Sequence, residues 1–96
     1  MSERRPWSIQ LASDVVHDGL GAELLDAGLI IRVVVFRCDA DNTVSVIFED
    51  GERPPLGILD WFFSEAATRL GCFEDGSPLP ERGEWRERRG WWRERQ

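Results

Sequence analysis

Leu29-Ile30-Ile31-Arg32-Val33-Val34-Val35-Phe36-Arg37 is the most strand-like run in the chain. Its β-branched and aromatic side chains suit a pleated strand, and turn formers bound it on both sides. Asp26-Ala27-Gly28 precedes it and Asp39-Ala40-Asp41-Asn42 follows. Upstream of the first turn, Leu20, Ala22 and Leu24 alternate onto one face of another strand, with Glu23 and Leu25 on the other. Downstream of the second turn, Thr43 to Glu49 alternates with Val44, Val46 and Phe48 inward. Together these runs predict a three-stranded antiparallel β-meander.

Further out, Trp7-Ser8-Ile9-Gln10-Leu11 alternates as a fourth, N-terminal edge strand would. Ser13-Asp14 reads as a cap or turn and Asp18-Gly19 as a turn, so residues 7–18 leave strand, helix or both open. On the other side, Asp50-Gly51 ends the sheet and Pro54-Pro55 prepares a helix, where a proline at the first position costs little. Leu56, Leu59, Phe62, Phe63, Ala66, Ala67 and Leu70 form one stripe at 100° per residue, and Gly71 is placed to end the helix. The expected fold class is α+β: a three- to four-stranded meander with one C-terminal helix packed on it. Residues 1–80 form one domain, followed by a Trp/Arg-rich tail over 81–96.

A chain of 96 residues closes only a modest core, so extra apolar surface calls for a second copy or a partner. No apolar run approaches the roughly 20 residues that cross a bilayer, and Met1-Ser2-Glu3-Arg4-Arg5-Pro6 lacks the apolar region of a signal peptide. The expectation is a soluble, cytoplasmic protein with no membrane partner. Residues 1–80 hold six arginines against fourteen acids, a balance of −8, whereas residues 81–96 hold six arginines against four acids, or +2. An acidic body repels phosphate, which argues against nucleic acid as the partner. Lysine is absent, so every cation is an arginine.

The chemistry-bearing residues are sparse. Cys38 and Cys72 lack CxxC spacing and read as ordinary reduced side chains. His17 is the only histidine and reads as an exposed turn residue; pairing it with Cys38 or Cys72 would make a nucleophile and base. Asp39-Ala40-Asp41-Asn42-Thr43 begins like a calcium loop but has Val44 where the glycine belongs. Asp60 and Glu65 read as solvated helix carboxylates. No phosphate-binding, hydrolase or metalloprotease motif is present. The sequence therefore points to a non-catalytic protein without cofactor or metal.

Three features exceed what the fold needs. Ile30, Val34, Phe36 and Ile47 make a second apolar sheet face interrupted by Arg32, to be covered either by the protein's own termini or by another chain. Trp61, flanked by Ile58, falls on the polar face of the helix. The tail carries Trp85, Arg88, Trp91 and Trp92, with Trp85, Arg88 and Trp92 on one face if it docks as a helix. These residues nominate a small protein-interaction module, expected to be homodimeric, that binds through the second sheet face, the outer helix face and the tail. The alternative is a small acidic inhibitor, an immunity protein or antitoxin, that blocks a basic nuclease or nucleic-acid-binding effector. Its support is the set of acids in turns: Asp39, Asp41, Glu49, Asp50, Glu52, Glu74 and Asp75.

Overall fold

The computed structural model describes residues 4–51 and 53–89. Four strands run consecutively as an antiparallel meander: β1 (Ser8–Asp14), β2 (Gly19–Leu25), β3 (Ile31–Cys38) and β4 (Thr43–Phe48). The helix α1 (Leu56–Leu70) follows, with Gly71 at its C-terminal cap at φ 69°. A short 3-10 turn over Arg82–Glu84 leads into β5 (Arg86–Arg89), which pairs parallel to β4. The sheet order is β1-β2-β3-β4-β5. The architecture is α+β, with one helix after the meander and a fifth strand after the helix.

The fifth strand corrects the reading of the tail as a helix. A three- or four-stranded meander leaves the outer edge of β4 with unpaired backbone groups, and an extended segment satisfies them. The i, i+3, i+7 face proposed for the tail is therefore absent where the chain is described; Trp91 and Trp92 lie outside the described residues.

The main core lies between the sheet and α1. Ala22, Leu24, Val33, Val35, Val44 and Val46 from the strands meet Leu59, Phe62, Ala66 and Leu70 from the helix, all buried. Leu56, the first residue of the expected stripe, is instead 84% exposed. Ile58 and Trp61 flank the buried row on one side and Phe63 on the other. Trp61 is thus half-buried against the core rather than standing on a bare polar face, and the Arg4 guanidinium lies 6.0 Å from the centre of its ring.

A register shift at the start of β3 changes which face Ile31 joins. Leu24 opposes Val33 but Leu25 opposes Ile31, so Arg32 is an extra residue on β3. Ile31 therefore packs with Val34, Phe36 and Ile47 on the second face instead of facing the helix. Leu29 lies before the strand, at φ 61° and 71% exposed.

Arg37 ties the helix end to the sheet. Its Nη1 donates to the carbonyls of Leu70, at 2.5 Å, and Cys72, at 2.8 Å, and its Nη2 meets the Asp39 carboxylate at 3.1 Å. Those carbonyls lie at and just beyond the helix C-terminus, where a cation is favoured.

Candidate functional site

The strand pairings carry side chains across the sheet in rows. On the face away from α1, Gln10, Glu23, Val34, Ile47 and Arg88 stand opposite one another in succession. The neighbouring row holds Ala12, Gly21, Phe36, Ser45 and Arg86. The sequence-nominated Val34, Phe36 and Ile47 form one apolar cluster there, with exposures of 0%, 2% and 0%. Glu23 is also buried and accepts a hydrogen bond from the Gln10 amide at 2.6 Å. The apolar residues of this face are thus covered within the single chain.

Glycine makes room for the largest of them. A Cβ on Gly19 would run into the Arg37 carbonyl oxygen and the Phe36 ring, whose Cε1 would lie 2.9 Å away. The Phe36 ring occupies the volume that a side chain at Gly19 would take. The Asp18-Gly19 pair therefore serves both the turn and the packing of the second face.

Beside this cluster a cavity of about 80 Å³ is bordered by His17, Cys38, Asp41, Thr43 and Arg88. The Cys38 thiol points to the carbonyl oxygen of His17 at 3.5 Å, not to its imidazole. Burial pushes the thiol pKa up, which lowers its thiolate fraction. His17 Nδ1 meets the buried Asp14 carboxylate at 3.0 Å, and the other Asp14 oxygen accepts the backbone N–H groups of Val16 and His17. This arrangement closes the β1–β2 turn.

The other nominated residues fall elsewhere. Ile30 precedes β3 and is 49% exposed. Arg32 is held by Asp26 at 2.9 Å, and Nη1 reaches the Asp50 carbonyl at 3.4 Å. Asp26 is drawn below the usual carboxylate range by the Ile30 N–H first and by Arg32 next. These two residues border an open cleft that also includes Trp7 and Arg53. Arg53 stacks 3.9 Å from the Phe48 ring centre and lies 3.6 Å from Glu87. On the helix side, Trp85 packs edge-to-face on Phe63 at 5.9 Å, and its indole N–H donates to the Pro80 carbonyl at 3.0 Å. The indole nitrogen of Trp61 is buried without an acceptor among the described residues. The nominated residues therefore split between the two sides of the sheet and do not make one continuous patch.

Two surfaces stand out once the chain is folded. The first is an acidic pole at one end of the sheet. The β1–β2 turn supplies Asp18, the β3–β4 turn Asp39, and the loop after α1 Glu74, with carboxylate oxygens all within 4.8 Å of one another. Asp39 is internally engaged, since it accepts the Glu74 N–H at 3.0 Å as well as the Arg37 contact. Asp41 lies on the β3–β4 turn with Asp39, and Asp75 on the loop after α1 with Glu74. Asp75 is drawn down to about 2 by the hydroxyl and N–H of Ser77 and by Asn42.

The second surface, which composition and periodicity did not single out, is the outer edge of β1. It is a terminal strand of the sheet, so one side of its backbone has no strand partner among the described residues. Ser8, Ile9, Gln10, Leu11, Ala12 and Ser13 carry no charge, and Leu11 is 44% exposed. The opposite edge strand reads Arg86-Glu87-Arg88-Arg89. Charged side chains are a standard protection of sheet edges, and the protein applies it to β5 and not to β1. The signal was present in the sequence as a run without charge, but it acquires meaning only when β1 is known to be terminal.

No known protein family, curated protein or solved structure matches the chain. Among the described residues, no helix is long and apolar enough to cross a membrane.

Proposed function

We propose that the chain is a non-catalytic protein-interaction module that works as a homodimer. The observation that carries this reading is the uncharged run Ser8–Ser13 of β1, an edge with no strand partner among the described residues, set against the charged β5 at the opposite edge. An exposed strand of this kind is a template for another strand, and the backbone supplies the hydrogen bonds. The other surfaces nominated from the sequence contribute less area: Val34, Phe36 and Ile47 are buried, and Trp85 is committed to Phe63 and Pro80. Ile30 and Arg88 are exposed.

A catalytic role finds little support in the chemistry of the best candidate. Cys38 has a raised pKa and faces a carbonyl oxygen. A nucleophilic thiol needs the opposite environment, with a cation or base that favours thiolate.

Light scattering of the full chain over a range of concentrations and ionic strengths tests the reading. The expected mass is that of a dimer, nearly unchanged by salt, because the contact is backbone hydrogen bonding and apolar side chains. A monomeric mass at every concentration would refute the homodimer.

A second reading draws on the acidic pole. Asp18 and Glu74, gathered around the inward-held Asp39, contribute to an acidic surface of the sort an inhibitor would present to a basic nuclease or nucleic-acid-binding effector. Such binding weakens steeply with salt. Salt-insensitive affinity for a basic effector would count against it.

A further inference from the structure

We infer that two copies of the chain join by antiparallel pairing of β1 with β1, in the register that sets Leu11 opposite Leu11. This inference rests on the homodimer reading above and specifies its interface. β1 has seven residues, Ser8 to Asp14, and Leu11 is their midpoint. Only the register centred on Leu11 pairs the whole strand with its copy. A slip by two residues in either direction leaves residues at both ends unpaired.

The side chains agree with this register. Directly opposed residues in an antiparallel pair share a face of the sheet. On the helix side the opposed pairs are Leu11 with Leu11 and Ile9 with Ser13. On the other face Gln10 meets Ala12 and Ser8 meets Asp14. No two like charges are opposed. The Asp14 carboxylate is held by the Val16 and His17 N–H groups and the His17 imidazole, so it is turned into its own loop.

Charge placement beyond the strand also favours self-pairing. The chain entering β1 carries Arg4 and Arg5, whereas the turn leaving it carries Asp18. Antiparallel association sends the arginine-bearing end of one copy toward the acidic turn of the other. Both helices then lie on the same side of a continuous sheet that runs from the β5 edge of one copy to the β5 edge of the other. The two remaining edges are the charged ones, so association stops at two copies instead of continuing into a fibre.

The test uses the full chain with Cys38 and Cys72 replaced by serine and one cysteine at a time placed along β1. Under mild oxidation with diamide, Leu11→Cys is expected to form an intermolecular disulfide faster than Gln10→Cys or Ala12→Cys, because it opposes its own copy at disulfide distance. Faster cross-linking of Gln10→Cys or Ala12→Cys would overturn the register. In parallel, Leu11→Arg, which opposes two arginines, is expected to convert the dimer to monomer by light scattering. Leu56→Arg, on the exposed first turn of α1, should leave the dimer intact. A wild-type dimer that survives Leu11→Arg with slow cross-linking at all three positions overturns the edge pairing and leaves the homodimer reading standing. A monomeric wild type removes both.

Discussion

Replacing Gly19 by alanine adds one methyl group where the second face has no room for it. The new Cβ meets a backbone atom, the Arg37 carbonyl oxygen, and the Phe36 ring. Overpacking of this kind costs about 1–3 kcal/mol, and two simultaneous clashes put Gly19 toward the upper end. Against this, alanine in a strand recovers about 0.5–1 kcal/mol that glycine loses in chain entropy. The net expectation is a loss of about 2 kcal/mol. In a domain of this size that lowers Tm by roughly 10 °C. Guanidinium denaturation followed by tryptophan fluorescence reads it directly. The two clashes are separable. Phe36→Leu shortens the ring but leaves the Arg37 carbonyl in place, so the double variant should be about 1 kcal/mol more stable than the sum of the single losses. Gly19→Ala at wild-type stability, or strict additivity with Phe36→Leu, would refute the packing argument.

Other consequences follow from individual contacts. Arg37→Met removes charged hydrogen bonds to the Leu70 and Cys72 carbonyls and to Asp39, and should cost about 2–3 kcal/mol in the same denaturation assay. Asp75 has its folded-state pKa lowered from 3.8 to about 2, so its carboxylate contributes stability above pH 3.8 that is lost as pH falls through about 2. The stability difference between wild type and Asp75→Asn, measured by denaturation at successive pH values, should accordingly shrink across that window. Cys72 is exposed, whereas Cys38 is half-buried with a raised pKa. Ellman's reagent should therefore modify Cys72 first, and equal rates would contradict the placement of Cys38.

The meander and helix were legible because each has a simple period. The stripe at Leu59, Phe62, Ala66 and Leu70 follows from burial on one side of the helix, and β4 was legible from Val44, Val46 and Phe48 although its other face, with Ser45 and Ile47, is buried as well. β5 was not legible, since Arg86-Glu87-Arg88-Arg89 has no apolar period and extends only because β4 offers an edge. The extra residue at Arg32 is equally invisible in one strand alone, because a bulge is a mismatch between two strands. Trp61 looked exposed on a helical wheel that contained no N-terminal segment, yet Arg4 lies over its ring. For the interaction surface, the sequence drew attention to conspicuous aromatic residues. Folding buries or engages several of them and leaves the plain run Ser8–Ser13 at the edge.

Amide hydrogen exchange of the full chain, at dilute and concentrated protein, reads the pairing of β1 residue by residue. Self-association through β1 predicts that exchange within Ser8–Asp14 slows as concentration rises, while exchange in β5 stays constant. Exchange in β1 that remains fast and independent of concentration, as at an open edge, would contradict the account.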